Sequence, residues 1–188
     1  MHNIAVIVGS LRAGSINRKF AHALEKLGTD KFAFNHVRVD DLPLYNEDLW
    51  ETPPESVLRL KADIERADAV LLITPEYNRA PTPIIINALA WASRPKGKNS
   101  WAGKPASVIG TSGGGIGTAV AQSQLRSVAV IMGMVVMGQP EVYFQTKPDL
   151  IDAEHTVTDE KTRTFLASYL GKFDAWINRV GPGPAPKA

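Results

Sequence analysis

The stretch Ile4-Ala5-Val6-Ile7-Val8-Gly9-Ser10-Leu11-Arg12-Ala13-Gly14-Ser15-Ile16-Asn17 decides the fold. Five apolar residues run without polar alternation, the pattern of a parallel strand covered on both faces. Beyond Asn17 the apolar residues Ile16, Phe20, Ala23, Leu24 and Leu27 fall at helical spacing. The unit is therefore a buried strand, a polar loop and a helix Ile16–Leu27 whose first N–H groups face back toward the loop. A simple turn does not need two serines, an arginine, two glycines and an asparagine. Ser10, Arg12, Ser15 and Asn17 around a helix start are the chemistry of an anion site, above all a phosphate. Ser15 as N-cap and Gly14 as a turn residue explain part of the loop; Arg12 is left over.

Outward from this unit, strands and helices alternate. Phe32–Val39 is predicted as a second strand, and Pro43, Pro53 and Pro54 mark residues 40–54 as a surface connection. A helix over Glu55–Arg66, with Pro54 at its first turn, leads to the apolar strand Ala69–Thr74. A helix around Thr82–Ser93, a strand Ala106–Thr111, a helix Gly117–Met132, a strand Met134–Met137 and a helix Asp159–Arg179 follow. Five strands alternating with helices predict an α/β doubly wound sheet with helices on both faces. Residues 1–180 are expected to form one domain. The segment 181–188, GPGPAPKA, is expected to be a disordered tail.

Composition narrows the function. The chain has 188 residues, 44% hydrophobic and 21% charged, and a net charge of +2 with both signs interleaved. That balance argues against nucleic acid or an anionic membrane surface as a partner. No cysteine occurs, which excludes disulfides, thiolate ligands and thiol nucleophiles. The amino-terminal apolar run is too short for a signal peptide and lacks a basic flank, so a cytoplasmic protein is expected. His2, His22, His36 and His155 show no metal-ligand spacing, and no metal site is predicted.

In open α/β sheets, ligands bind beyond the carboxyl ends of the strands where the strand order reverses. Two further loops lie there. Thr74-Pro75-Glu76-Tyr77-Asn78-Arg79-Ala80-Pro81 places a tyrosine among prolines, a surface on which a flat ligand can lie. Thr111-Ser112-Gly113-Gly114-Gly115-Ile116-Gly117 lets backbone N–H groups approach a ligand closely. Neither glycine-containing loop is a GxGxxG, GxxxxGK[ST] is absent, and Thr74 stands where a phospho-acceptor domain would need aspartate. A phosphate site, an aromatic–proline loop and a glycine loop on one edge point to a flat, phosphorylated cofactor.

GSLRAGSIN, PEYN and TSGGGIG, in this order and at these spacings, resemble the NAD(P)H-dependent FMN reductase family, over about residues 3–180. The resemblance implies a flavodoxin-like five-stranded parallel sheet of order 2-1-3-4-5. It also implies FMN as cofactor, NADPH or NADH as co-substrate, and a small-molecule acceptor such as a quinone, a flavin, chromate or an azo compound. By the same resemblance Ser10, Arg12, Ser15, Ile16 and Asn17 hold the FMN phosphate. Pro75, Glu76, Tyr77 and Asn78 flank the isoalloxazine, and Ser112, Gly113, Gly114 and Gly115 cover its other side. No side chain is needed as a nucleophile, and Glu76, the tempting general acid, is more often structural in such a loop. The alternatives are a flavodoxin-type electron carrier, which is usually acidic, and a non-catalytic binding domain. Pro83–Trp91 is apolar nearly all round, as is the helix after the glycine loop. Burial of those faces against another subunit predicts a homodimer or, by the family resemblance, a homotetramer; the alternative is a helix shielded by the 40–54 connection.

Overall fold

A computed structural model of the chain describes residues 1–181. The elements are β1 (His2–Val8), α1 (Ile16–Gly28), β2 (Phe32–His36), a 3-10 turn at Glu47–Glu51, α2 (Glu55–Arg66) and β3 (Ala69–Ile73). After them come α3 (Pro83–Ala92), β4 (Pro105–Ser112), α4 (Ala119–Ile131), β5 (Val135–Val136), β6 (Tyr143–Gln145) and α5 (Glu160–Val180). The expected tail lies, from residue 182 onward, outside the described residues.

All strand pairs are parallel and the order is β2-β1-β3-β4-β5, as expected, with β6 also on β4. Alternate strand residues feed two cores. Ala5, Ile7, Val70 and Leu72 pack with Leu60, Ile64, Leu89, Trp91 and Leu125 of α2, α3 and α4. Ile4, Val6, Leu71 and Ile73 pack with Phe20, Leu24, Leu170 and Phe173 of α1 and α5. Burial on both faces is why β1 and β3 read as unbroken apolar runs.

Three expectations need correction. The second strand stops at His36 instead of Val39: Phe32 and Phe34 share one parity and Val37 and Val39 the other, so one regular strand cannot keep all four on the same face. Val37 still donates to the Val6 carbonyl at 2.9 Å, and both valines are buried. The fifth sheet position is split, because β5 pairs with the start of β4 and β6 with its end. Pro140, which has no N–H to give a ladder, lies in the gap. Finally, residues 43–50 cover α3. Asn87 accepts from the Tyr45 N–H at 2.8 Å and donates to the Pro43 carbonyl at 2.9 Å, while Trp91 Nε1 donates to that same carbonyl at 2.8 Å. Tyr45 and Trp50 stack edge-on against Trp91. The second apolar face of α3 is thus covered within the chain and does not require another subunit.

Candidate functional site

The first two loops at the carboxyl edge are tied together at Gly9. The Gly9 N–H donates to the Ile73 carbonyl at 2.8 Å, and Thr82 Oγ1 donates to the Gly9 carbonyl at 2.7 Å. Gly9 leaves no room for a side chain there: a Cβ would lie 2.5 Å from Thr82 Oγ1.

In the first loop Ser15 is the N-cap of α1, its Oγ accepting from the Arg18 N–H at 3.2 Å. The Arg18 guanidinium in turn donates to the Ser10 carbonyl at 3.2 Å, closing the loop on itself. Among the described residues, the N–H groups of Ile16 and Asn17 have no protein acceptor. They are the free donors of a helix start, next to the buried serines Ser10 and Ser15. Arg12 is exposed and makes no ion pair among the described residues. This set has the donors and the positive end of a helix dipole that a phosphate requires.

The Asn17 side chain does something the sequence did not reveal. Its Nδ2 donates to the Thr111 carbonyl and its Oδ1 accepts the Thr111 N–H, both at 2.9 Å and buried. The ladder between β3 and β4 ends at Ile73–Ile109, where Pro75 turns the chain away. Beyond that point the amide of Asn17 satisfies Thr111 and locks the first loop to the third.

In the second loop Tyr77 and Ala80 exchange both backbone hydrogen bonds at 3.0 Å, with Asn78 (φ 51°) and Arg79 (φ 64°) in the left-handed region. Two consecutive positive φ values are the signature of a tight two-residue hairpin turn. Asn tolerates this conformation well; Arg79 is held in it by its neighbours. Its guanidinium donates to Glu76 Oε1 at 2.6 Å, and its carbonyl accepts from Gln124 Nε2 at 2.8 Å. Glu76 Oε2 accepts the N–H groups of Val120 and Ala121, each at 3.0 Å, at the start of α4. Burial alone would raise the Glu76 carboxyl, but the Ala121 N–H, Arg79 and the Val120 N–H outweigh it and hold it below the usual carboxylate range. A group so placed is a fixed anion and a poor general acid. The turn leaves Tyr77 half exposed at the edge of the site.

In the third loop Ser112 Oγ lies 2.6 Å from the Gly117 carbonyl and 3.2 Å from the Gly114 N–H, folding the glycines into a tight curve. A Cβ at Gly113 or Gly115 would meet nothing within 4 Å, and one at Gly114 only Ser112 Oγ at 3.7 Å. Gly117 has a different reason: it holds φ 65°, and a Cβ would approach β6 to 2.7 Å. The loop therefore presents bare backbone to an open space.

Residues 2–149 match the NADPH-dependent FMN reductase family. The chain belongs to this family. It is an oxidoreductase with FMN as its prosthetic group and NAD(P)H as its reductant. The free N–H pair of α1 and the open glycine curve suit a phosphorylated flat cofactor. This FMN reductase is 46% identical to a 2-hydroxy-1,4-benzoquinone reductase of a Burkholderia species over 174 residues, 93% of this chain and 95% of the relative. It is 42% identical to a quinone reductase of Pseudomonas putida over 178 residues, 94% and 95% of the two chains. The solved structure of FerB, a flavoenzyme NAD(P)H:(acceptor) oxidoreductase from Paracoccus denitrificans, is similar at TM-score 0.95 and 49% identity, covering 97% of this chain and all of that one. No helix among the described residues is long and apolar enough to cross a membrane.

One feature beside the three loops was not legible in the sequence. A cavity of about 320 Å³ opens between the first two loops, and Leu42, Leu44, Ile84 and Asn87 line it together with Leu11, Arg12 and Tyr77. Leu42 and Leu44 sit in the proline-marked connection, where only their apolar character in a polar loop could have marked them.

Proposed function

We propose that the chain reduces quinones, with the three loops holding FMN and the cavity beside Tyr77 receiving both nicotinamide and acceptor. The free N–H pair of Ile16 and Asn17, at the helix start capped by Ser15, carries this reading. In it the phosphate sits on those N–H groups, with the hydroxyls and the Arg12 guanidinium completing the anion's partners. Pro75, Glu76, Tyr77 and Asn78 flank the ring system, and Ser112, Gly113, Gly114 and Gly115 cover its far side with backbone. When bound, FMN supplies the two-electron chemistry linking a nicotinamide to an acceptor. The protein's part is to bind, orient and shield. Glu76 acts at one remove, fixing the hairpin that carries Tyr77 to the start of α4. Leu11, Leu42, Leu44 and Ile84 give the cavity apolar walls that fit a planar quinone, the class named for the relatives at 42–46% identity.

Residues 1–180 act in this reading as one FMN-binding domain, in a cytoplasmic setting where NAD(P)H is supplied. Self-association into a dimer or tetramer would use the end of α4, where Val130 and Ile131 are 61% and 83% exposed. Because one cavity serves both substrates, steady-state kinetics with NADPH and a benzoquinone should give parallel double-reciprocal lines. Converging lines with a trapped ternary complex would overturn the shared cavity.

A further inference from the structure

Away from the three loops, the structure gathers groups that are far apart in sequence. His22 and Glu25 stand one turn apart on α1, and His36 closes β2. Glu25 Oε2 lies 3.2 Å from His22 Nδ1 and 2.9 Å from His36 Nε2. The three ligand atoms all fall within 4.8 Å of one another. The His155 ring comes within 4.9 Å of the His22 ring, centre to centre. His22, Glu25 and His36 are all half-buried, so the group is partly open to solvent.

We propose that His22, Glu25 and His36 form a binding site for a borderline divalent transition ion of the Zn²⁺ class. Two imidazole nitrogens and a carboxylate oxygen are the donors such ions prefer, whereas Mg²⁺ and Ca²⁺ want an all-oxygen shell. Ligand atoms about 2.0–2.1 Å from Zn²⁺ stand about 3.3 Å apart in a tetrahedron. Two of the observed separations are already near that value, and closing the third needs only side-chain rotation on two rigid elements. One carboxylate oxygen between two imidazole nitrogens is where hydrogens sit in the metal-free protein and where the ion would replace them.

The fourth position is open. A cavity of about 330 Å³ touches His22 and His36 and reaches Ser10 and Leu11 of the first loop. Arg18 and Arg38 also line it, and they oppose a cation. The opposition is partly relieved, since Asp40 lies 2.8 Å and Asp41 3.6 Å from Arg38 Nε. Affinity in the micromolar range is therefore expected, not that of a structural zinc. The ion would join the end of β2 to α1 and brace the helix whose amino-terminus carries the first loop.

The test is a calorimetric titration of the FMN-loaded protein, freed of metal, with ZnCl₂. One equivalent should bind, MgCl₂ should not compete, and H36Q and E25Q should each weaken binding at least tenfold while H155Q leaves it intact. Binding that survives both H36Q and E25Q, or no binding, overturns the site. Should either variant misfold, proton NMR of the unmodified holoenzyme decides. Zn²⁺ should shift the imidazole resonances of His22 and His36 together at one equivalent. A shift confined to His2, which sits 3.4 Å from Asp174, overturns the site as well.

Discussion

Asn17→Ala separates a structural clamp from a phosphate ligand. The amide makes two buried hydrogen bonds of 2.9 Å to the backbone of Thr111. Its removal strands one N–H and one carbonyl where strand β3 no longer reaches. Leaving a buried polar group unsatisfied costs about 1–3 kcal/mol. With water reaching part of the space, the pair should cost about 2–4 kcal/mol, which for a chain of this size lowers Tm by about 4–16 °C. The assay is thermal unfolding of the protein without FMN, followed by circular dichroism. Asn17→Asp should fall in the same range, because a carboxylate can accept the Thr111 N–H but meets the Thr111 carbonyl without a donor. An unchanged Tm for the FMN-free protein, coupled to a tenfold or greater loss of FMN affinity, would refute this reasoning. The side chain would then be holding the phosphate.

Three further outcomes are expected. The Glu76 carboxyl is lower in the folded protein than in the unfolded chain; its stabilisation is therefore complete above the ordinary carboxylate range and is lost as pH falls through the lowered value. Acid unfolding of Glu76→Gln should show a shallower loss of stability in that window than the unmodified protein, and an identical acid profile would contradict the clamp. Gly113→Val places its side chain in open space, so FMN-free stability should stay within about 1 kcal/mol while FMN affinity drops about tenfold or more; equal losses in both would mean the loop is only structural. Ile131→Asp should shift the assembly toward the 20.4 kDa chain in light scattering if the end of α4 is an interface, and an unchanged mass would rule that face out.

The parts of the molecule legible in the sequence are those in which a short stretch decides its own structure. Ile4–Val8 and Ala69–Ile73 are apolar throughout because both sheet faces are covered, and Ser15 marks a helix start by local hydrogen bonding. The three loops were legible because their side chains and glycines exceed what turning the chain requires. What escaped depends on distant partners. Nothing local in Tyr143–Gln145 distinguishes a sixth strand, since only the end of β4 gives it a pairing edge. Nothing near Asn17 foretells Thr111, 94 residues away. The apolar surface of α3 was visible, and the 40–54 connection was one candidate to cover it; that Tyr45 and Trp50 do so was not visible, because proline-rich connections carry no periodicity from which a docking face can be read. His22 and His36 meet only through the packing of α1 beside β2.

The most direct test of the FMN cradle is a fluorescence titration of the FMN-free protein with FMN and with riboflavin, which has the same ring and no phosphate. A hydrogen bond to a charged group contributes roughly 1.5–3 kcal/mol, and each ~1.4 kcal/mol is tenfold in affinity. Loss of several such bonds should cost riboflavin at least about a hundredfold. Arg12→Ala should weaken FMN by about 10- to 100-fold and leave riboflavin nearly unchanged. Equal affinity for the two flavins in the unmodified protein would contradict the account, for it would make Gly9–Asn17 a turn and nothing more.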